Sequence, residues 1–202
     1  MIRGMMIGLG AIAAVTALAT VPPQVGAQEQ ERGIRVYTDV GGLSALRDLN
    51  QAGTADFKTG FNWGGGVGWQ LRQNLMVRGD ITWGQQELRT SGVTAAKINQ
   101  FFYGADVKLD YPGSGRATPY LFAGAGAVMI HPKGTSGENK TKGFGRFGLG
   151  LAYQPPQSRL QLFAQGTGWV YKLKGFPSTS PLAGYDRSQF DVGYIGGVSL
   201  RL

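Results

Sequence analysis

Tyr194-Ile195-Gly196-Gly197-Val198-Ser199-Leu200-Arg201-Leu202, the last nine residues, read as a β-strand. Tyr194, Val198, Leu200 and Leu202 fall on one face, with Gly196 between them. Gly197, Ser199 and Arg201 fall on the other. A final strand with one apolar face suits a sheet that closes by pairing its last strand with its first.

The same alternation recurs upstream, with turn residues between the runs. It predicts strands over 33–41, 56–71, 75–84, 98–111, 118–130, 144–154, 160–171 and 188–202. In the second run Phe57, Thr59, Phe61, Trp63, Val67, Trp69 and Leu71 share one face, against Lys58, Gly60, Asn62, Gly64, Gly66, Gly68 and Gln70. In the fourth, Phe101, Tyr103, Ala105, Val107, Leu109 and Tyr111 oppose Gln100, Gly104, Asp106, Lys108 and Asp110. A polar face this rich in glycine and paired charge suits the inside of a narrow barrel. The links alternate in length. Short ones fall at 72–74, 112–117 and 155–159. Longer ones fall at 42–55, 85–97, 131–143 and 172–187. In the first long link, Leu43, Leu46 and Leu49 have near-helical spacing and predict one helical turn.

Arg3, an apolar run from Met5 to Ala19, and small residues at Val25 and Ala27 predict a signal peptide over 1–27, cleaved to leave a barrel domain over 28–202. The alternative is an uncleaved membrane anchor. An exported chain without cysteine is not a disulfide scaffold. The formal charge is +8, or +7 once Arg3 is removed. For an exported protein this balance points to anionic lipid or acidic glycans rather than nucleic acid.

The ending, with Gly197, Leu200 and Leu202, resembles the C-terminal signal of bacterial outer-membrane β-barrels. Thr118-Pro119-Tyr120-Leu121-Phe122-Ala123-Gly124-Ala125-Gly126 resembles the fifth-strand signature of the small family that includes the OmpA transmembrane domain, OmpX and the opacity proteins. The resemblance covers nearly everything after Ala27. It implies an all-β, eight-stranded, antiparallel up-and-down transmembrane barrel in the bacterial outer membrane. Both termini then lie on the short-turn, periplasmic rim. Trp69, Tyr111 and Tyr153, each just before a short turn, form a periplasmic interfacial girdle; Phe61, Trp83, Phe101, Phe147 and Phe190 suit the outer one. Tyr194, Gly197, Val198, Leu200 and Leu202 form the assembly signal, so Leu200 and Leu202 are expected to be needed for folding. A soluble lipocalin-like barrel is the structural rival.

Motifs that carry chemistry are few. Gly143-Phe144-Gly145-Arg146-Phe147-Gly148 matches G-x-G-x-x-G, but strand and Pro155-Pro156 follow where a dinucleotide site needs a helix. His131 is the single histidine, so any Ser-His-acid triad must use it, with Ser136 and Glu138 nearby. It precedes Pro132 at a loop entrance and reads as a solvated residue. No catalytic residue, metal site or cofactor is expected.

The inward charges are the main constellation. Alternation aims Arg35, Lys58, Arg78, Lys108, Arg146 and Arg201 inward, with Asp39, Asp80, Asp106, Asp110 and Asp191. They predict ion pairs that plug the lumen, since eight strands leave room only for side chains. An ion path is the alternative. The long loops are basic, through Lys133, Lys140 and Lys142 in the third and Lys172, Lys174 and Arg187 in the fourth. They suit lipopolysaccharide phosphates, or simply solubility. The resulting expectation is a monomeric, non-enzymatic surface protein, structural or adhesive through four extracellular loops. Its expected partners are outer-membrane lipid and lipopolysaccharide, the barrel-assembly machinery and a surface ligand held by the loops. A narrow pore or carrier of small hydrophobic molecules is the second reading, and an outer-membrane lipid hydrolase the third.

Overall fold

The computed structural model describes residues 33–46, 49, 54–111, 116–133, 139–178 and 180–202. The chain separates into Met1–Gln30 and Glu31–Leu202. The first unit, with the expected signal peptide over 1–27, lies outside the described residues.

Eight strands run β1 Ile34–Ala45, β2 Ala55–Arg72, β3 Leu75–Thr90, β4 Val93–Asp110, β5 Ala117–Pro132, β6 Lys140–Tyr153, β7 Leu160–Leu173 and β8 Arg187–Arg201. Each pairs antiparallel with its sequence neighbours, and β1 pairs with β8, so the barrel is closed. Closure satisfies every strand edge, which hydrocarbon requires of any membrane-spanning sheet. Following opposed residues around the wall gives Arg35, Gly68, Arg78, Asp106, Gly124, Arg146, Trp169 and Asp191. The path returns to β1 at Ala45, so from 35 to 45 it climbs ten residues. With about 3.3 Å of rise and about 4.8 Å between strands, the tilt is about 40° and the backbone radius about 8 Å. Side chains fill such an interior.

The outward residues form an apolar band. Trp63, Ile81, Leu149 and Tyr194 are 53–69% exposed, and Trp63 and Trp83 pair across β2 and β3 at 6.5 Å. So large a continuous apolar surface is foreign to a soluble monomer and rules against the lipocalin-like rival. Trp69, Tyr111 and Tyr153 are exposed at the short-turn rim. Phe101 lies ten residues from Tyr111 on the same face, about 25 Å up the tilted strand, which is the height of an outer-membrane band. Ile81 sits midway along it, between Leu75 and Gln85, whereas Leu200 lies beside the periplasmic rim opposite Leu160, the first residue of β7. Ile81→Arg is therefore expected to cost about 2–4 kcal/mol and Leu200→Arg about 0–1 kcal/mol in the folded barrel. Urea titration in lipid vesicles measures both; equal losses contradict this depth assignment.

Three features depart from the sequence expectations. First, β3 and β4 run far beyond 84 and 98, so the 85–97 link is a hairpin. The inward pattern continues through Gln86, Leu88, Ala96 and Ile98. Ser91 and Gly92, with φ of 51° and 80°, make the two-residue turn. Second, the register of β2 against β3 shifts between Lys58 and Phe61. The extra residue of a bulge reverses the alternation. Phe57 therefore turns inward and is buried, and Lys58 turns outward to Glu87 at 3.9 Å, outside the lumen. Third, the described part of the first loop holds no helical turn. Leu43 points inward from β1, Leu46 is exposed, and Leu49 is buried at a bend.

Candidate functional site

The lumen is filled in two tiers. In the periplasmic half, Arg78 donates through Nε and Nη2 to the two carboxylate oxygens of Asp106 at 2.7 and 3.1 Å. The two residues are directly opposed on β3 and β4. Arg146 reaches across from β6. It donates through Nη1 to Asp80 at 2.6 Å and through Nη2 to both Asp80 and Asp106. Gly124 lies between Arg146 and Asp106 in the pairing row and has no side chain to part them. Lys108 pairs with Asp110. Aromatic rings wall this cluster: Arg78 lies 4.7 Å from the Phe122 ring and Lys108 4.3 Å from the Tyr120 ring. Phe122 and Tyr120 lie over Gly148 and Gly150, where a Cβ would come within 2.4 Å of each ring. The G-x-G-x-x-G match thus resolves into packing. Gly148 makes space for a ring, Gly143 and Gly145 face outward, and β6 continues as strand.

The outer tier is mainly apolar, with Gln86, Gln100, Gln189 and Asp191 buried beside it. Leu43, Phe57, Leu88, Ile98, Phe102, Val128, Ile130, Phe144, Trp169, Tyr171 and Leu173 form one buried cluster. Phe102 stands at its centre, with ring centroids 5.4 Å from Trp169, 5.6 Å from Phe144 and 6.2 Å from Tyr171. Leu49 from the first loop and Leu182 from the fourth complete it from above and cap the mouth. The sequence expectation missed this tier. Its signal was present, because Phe102 shares the parity of Asp106, and Phe144 that of Arg146.

The remaining inward acids depart from the expected ion pairs. Asp191 is fully buried but meets neutral donors. Tyr171 Oη donates to it at 2.7 Å and Gln189 Nε2 at 3.0 Å, while Gln100 Nε2 donates to Tyr171 Oη at 2.9 Å. Its level near the mouth is lined by tyrosine and glutamine rather than by arginine. Asp39 points inward with no ion pair among the described residues. Arg35 donates to Gln154 Oε1 at 3.5 Å, and Arg201 stands opposite Arg35 on β8.

The basic residues of the rim are less loop-borne than expected, because β5 to β8 extend. Lys140, Lys142, Lys172 and Arg187 lie in strand ends, while Lys133 and Lys174 remain in connections. Lys142 points inward, its Nζ 6.0 Å from the Phe176 ring of the fourth loop. Lys174 pairs with Asp186 at 3.5 Å. His131 is exposed at the end of β5, with Nδ1 against Asn139 Oδ1. Ser136 and Glu138 lie outside the described residues.

No curated protein sequence matches the chain. Among solved structures, Neisserial surface protein A superposes with a TM-score of 0.64 at 15% identity, over 84% of this chain and 97% of that one. The outer membrane protein OprG from Pseudomonas aeruginosa superposes with a TM-score of 0.55 at 12% identity, over 86% and 97%. At these identities the likeness is one of fold. The model for the family described as outer membrane protein beta-barrel domain matches residues 11–202, so the chain belongs to that family and is a protein of the bacterial outer membrane.

Proposed function

We propose that this chain is a non-enzymatic surface protein whose barrel is closed, and that it acts structurally or adhesively through what it presents at the outer rim. The two-tier filling of the lumen carries this reading. An ion must pass the Arg78–Asp106–Arg146–Asp80 cluster and then the apolar tier capped by Leu49 and Leu182. Eight strands leave little space around either. What faces outward above the apolar band is a protruding β3–β4 hairpin and a basic rim. The hairpin carries Val93 exposed beside its turn. The rim includes Lys133 and Lys172 and suits lipopolysaccharide phosphates. A monomer inserted by the barrel-assembly machinery fits a wall whose strands are all paired. The single histidine, exposed and bound to an asparagine, supports the non-enzymatic part of the reading.

A second reading has one observation in its favour. The outer tier is mainly apolar, which suits passage or carriage of a small hydrophobic molecule once the cap moves. Planar-bilayer recording discriminates. The closed barrel is expected to give no steady open-channel current. A steady conductance in the wild-type protein overturns the closed reading and puts a pore in its place. Release of fatty acid from lipid A by the purified barrel overturns the non-enzymatic one.

A further inference from the structure

The interior wall of β1, β2 and β3 differs from the rest of the lumen. On β2 the inward positions 64, 66 and 68 are all glycine. The bulky side chains Phe102, Phe122, Phe144, Arg146 and Trp169 come from the other side. Around Gly64 and Gly66 the wall carries oxygen atoms. Asp39 and Thr82 flank Gly64 in one pairing row. A Cβ on Gly64 would lie 2.9 Å from Thr82 Oγ1, so that hydroxyl leans over the glycine. A Cβ on Gly66 would lie 2.6 Å from the Tyr37 hydroxyl, which leans over the neighbouring glycine in the same way. Asn62 stands one inward position above Gly64 and is 1% exposed.

Three of these four side chains carry atoms without partners. Asp39 Oδ1, Tyr37 Oη and both amide atoms of Asn62 are buried with no hydrogen bond among the described residues. Leaving such atoms unsatisfied is expensive, and a buried carboxylate most of all. The nearby cations are paired elsewhere, Arg78 with Asp106 and Arg146 through its two Nη atoms with Asp80 and Asp106, while Arg146 Nε is itself without a hydrogen bond among the described residues. Of the acids at this level, Asp39 is the one without a cation among the described residues.

We propose that the barrel binds a small alkali cation, Na⁺ or K⁺, over Gly64, held by the carboxylate of Asp39 and by the neutral oxygens of Thr82, Asn62 and Tyr37. Strand spacing supports it. Asp39 and Thr82 are the two backbone partners of Gly64, so their Cα atoms are about 10 Å apart across β2, a gap that inward oxygens from both sides can bridge through one ion where no side chain fills it. The charge decides the valence. Divalent ions are commonly held by several carboxylates, whereas here Asp80 and Asp106 are already neutralised and one negative charge remains.

The test is a urea titration of the full barrel in zwitterionic vesicles at constant ionic strength, with NaCl, KCl or choline chloride. An ion bound only by the folded state, at ten times its dissociation constant, raises the folded-to-unfolded ratio about tenfold over choline. That gain is expected for Na⁺ or K⁺, to be absent in Asp39→Asn and reduced in Thr82→Val. Identical midpoints in the three salts overturn the site and leave water as its occupant. An undiminished salt response in Asp39→Asn overturns it too, by placing the ion on the surface. If Asp39→Asn does not fold, Thr82→Val is decisive, and its unchanged response counts against the proposal. An anomalous peak from Tl⁺ over Gly64 in crystals of the wild type supports it directly, and a peak elsewhere alone counts against it.

Discussion

Replacing Arg146 with alanine is expected to lower the stability of the barrel by about 3–5 kcal/mol, the range for breaking a buried ion pair by removing one partner. Among the described residues Arg146 is the single link between Asp80 and a cation, and it also shares Asp106 with Arg78. Its loss strands Asp80 outright. Loss of Arg78 instead leaves Asp106 held by Arg146, so Arg78→Ala is expected to cost less. The order separates a shared cluster from two independent pairs, which would give similar losses. Urea midpoints in vesicles measure it, with Arg146→Met/Asp80→Asn expected to recover part of the loss because the stranded charge is gone. Unchanged stability in Arg146→Ala shows that water reaches Asp80 and that the periplasmic tier is open.

Phe102→Ala is expected to cost a similar 3–5 kcal/mol by a different cause, the cavity left when a buried phenyl ring is removed. Phe102 touches three other rings and is 1% exposed, so the site has little freedom to collapse. The periplasmic ion cluster is untouched, so this variant is expected to conduct no better than the wild type in planar bilayers. A channel opened by Phe102→Ala would show that the outer tier alone seals the barrel. A loss below about 1 kcal/mol would show a tier loose enough to refill the space.

Much of this architecture was legible in the sequence because a strand with one face in lipid and one in a narrow lumen repeats every two residues. The parity of Asp106, Lys108 and Asp110, or of Leu200 and Leu202, needed no partner to be read. What failed was whatever depended on register. The bulge near Gly60 reverses parity without changing composition. Its one sign is the glycine itself, where a Cβ would lie 1.7 Å from the Gln85 carbonyl oxygen. Lys58 was misplaced for that reason. Which acid finds which arginine is likewise a matter of stagger: Arg146 and Asp80 are not on neighbouring strands. The cap formed by Leu49 and Leu182 comes from loops, which carry no period to read.

The pairing of β1 with β8 joins eleven residue pairs, and Arg35 and Arg201 in it are 166 positions apart. Loop closure over that distance costs only about 1.5 kcal/mol more than closing a hairpin of about 30 residues. The backbone groups of two open edges in hydrocarbon cost several kcal/mol each. Edge desolvation therefore dominates chain entropy in the kinetics of assembly. A partly threaded sheet has no stable resting place in the bilayer, so insertion and closure are expected to be one concerted event. A nascent chain waiting outside the bilayer needs its two terminal strands shielded until the last one arrives.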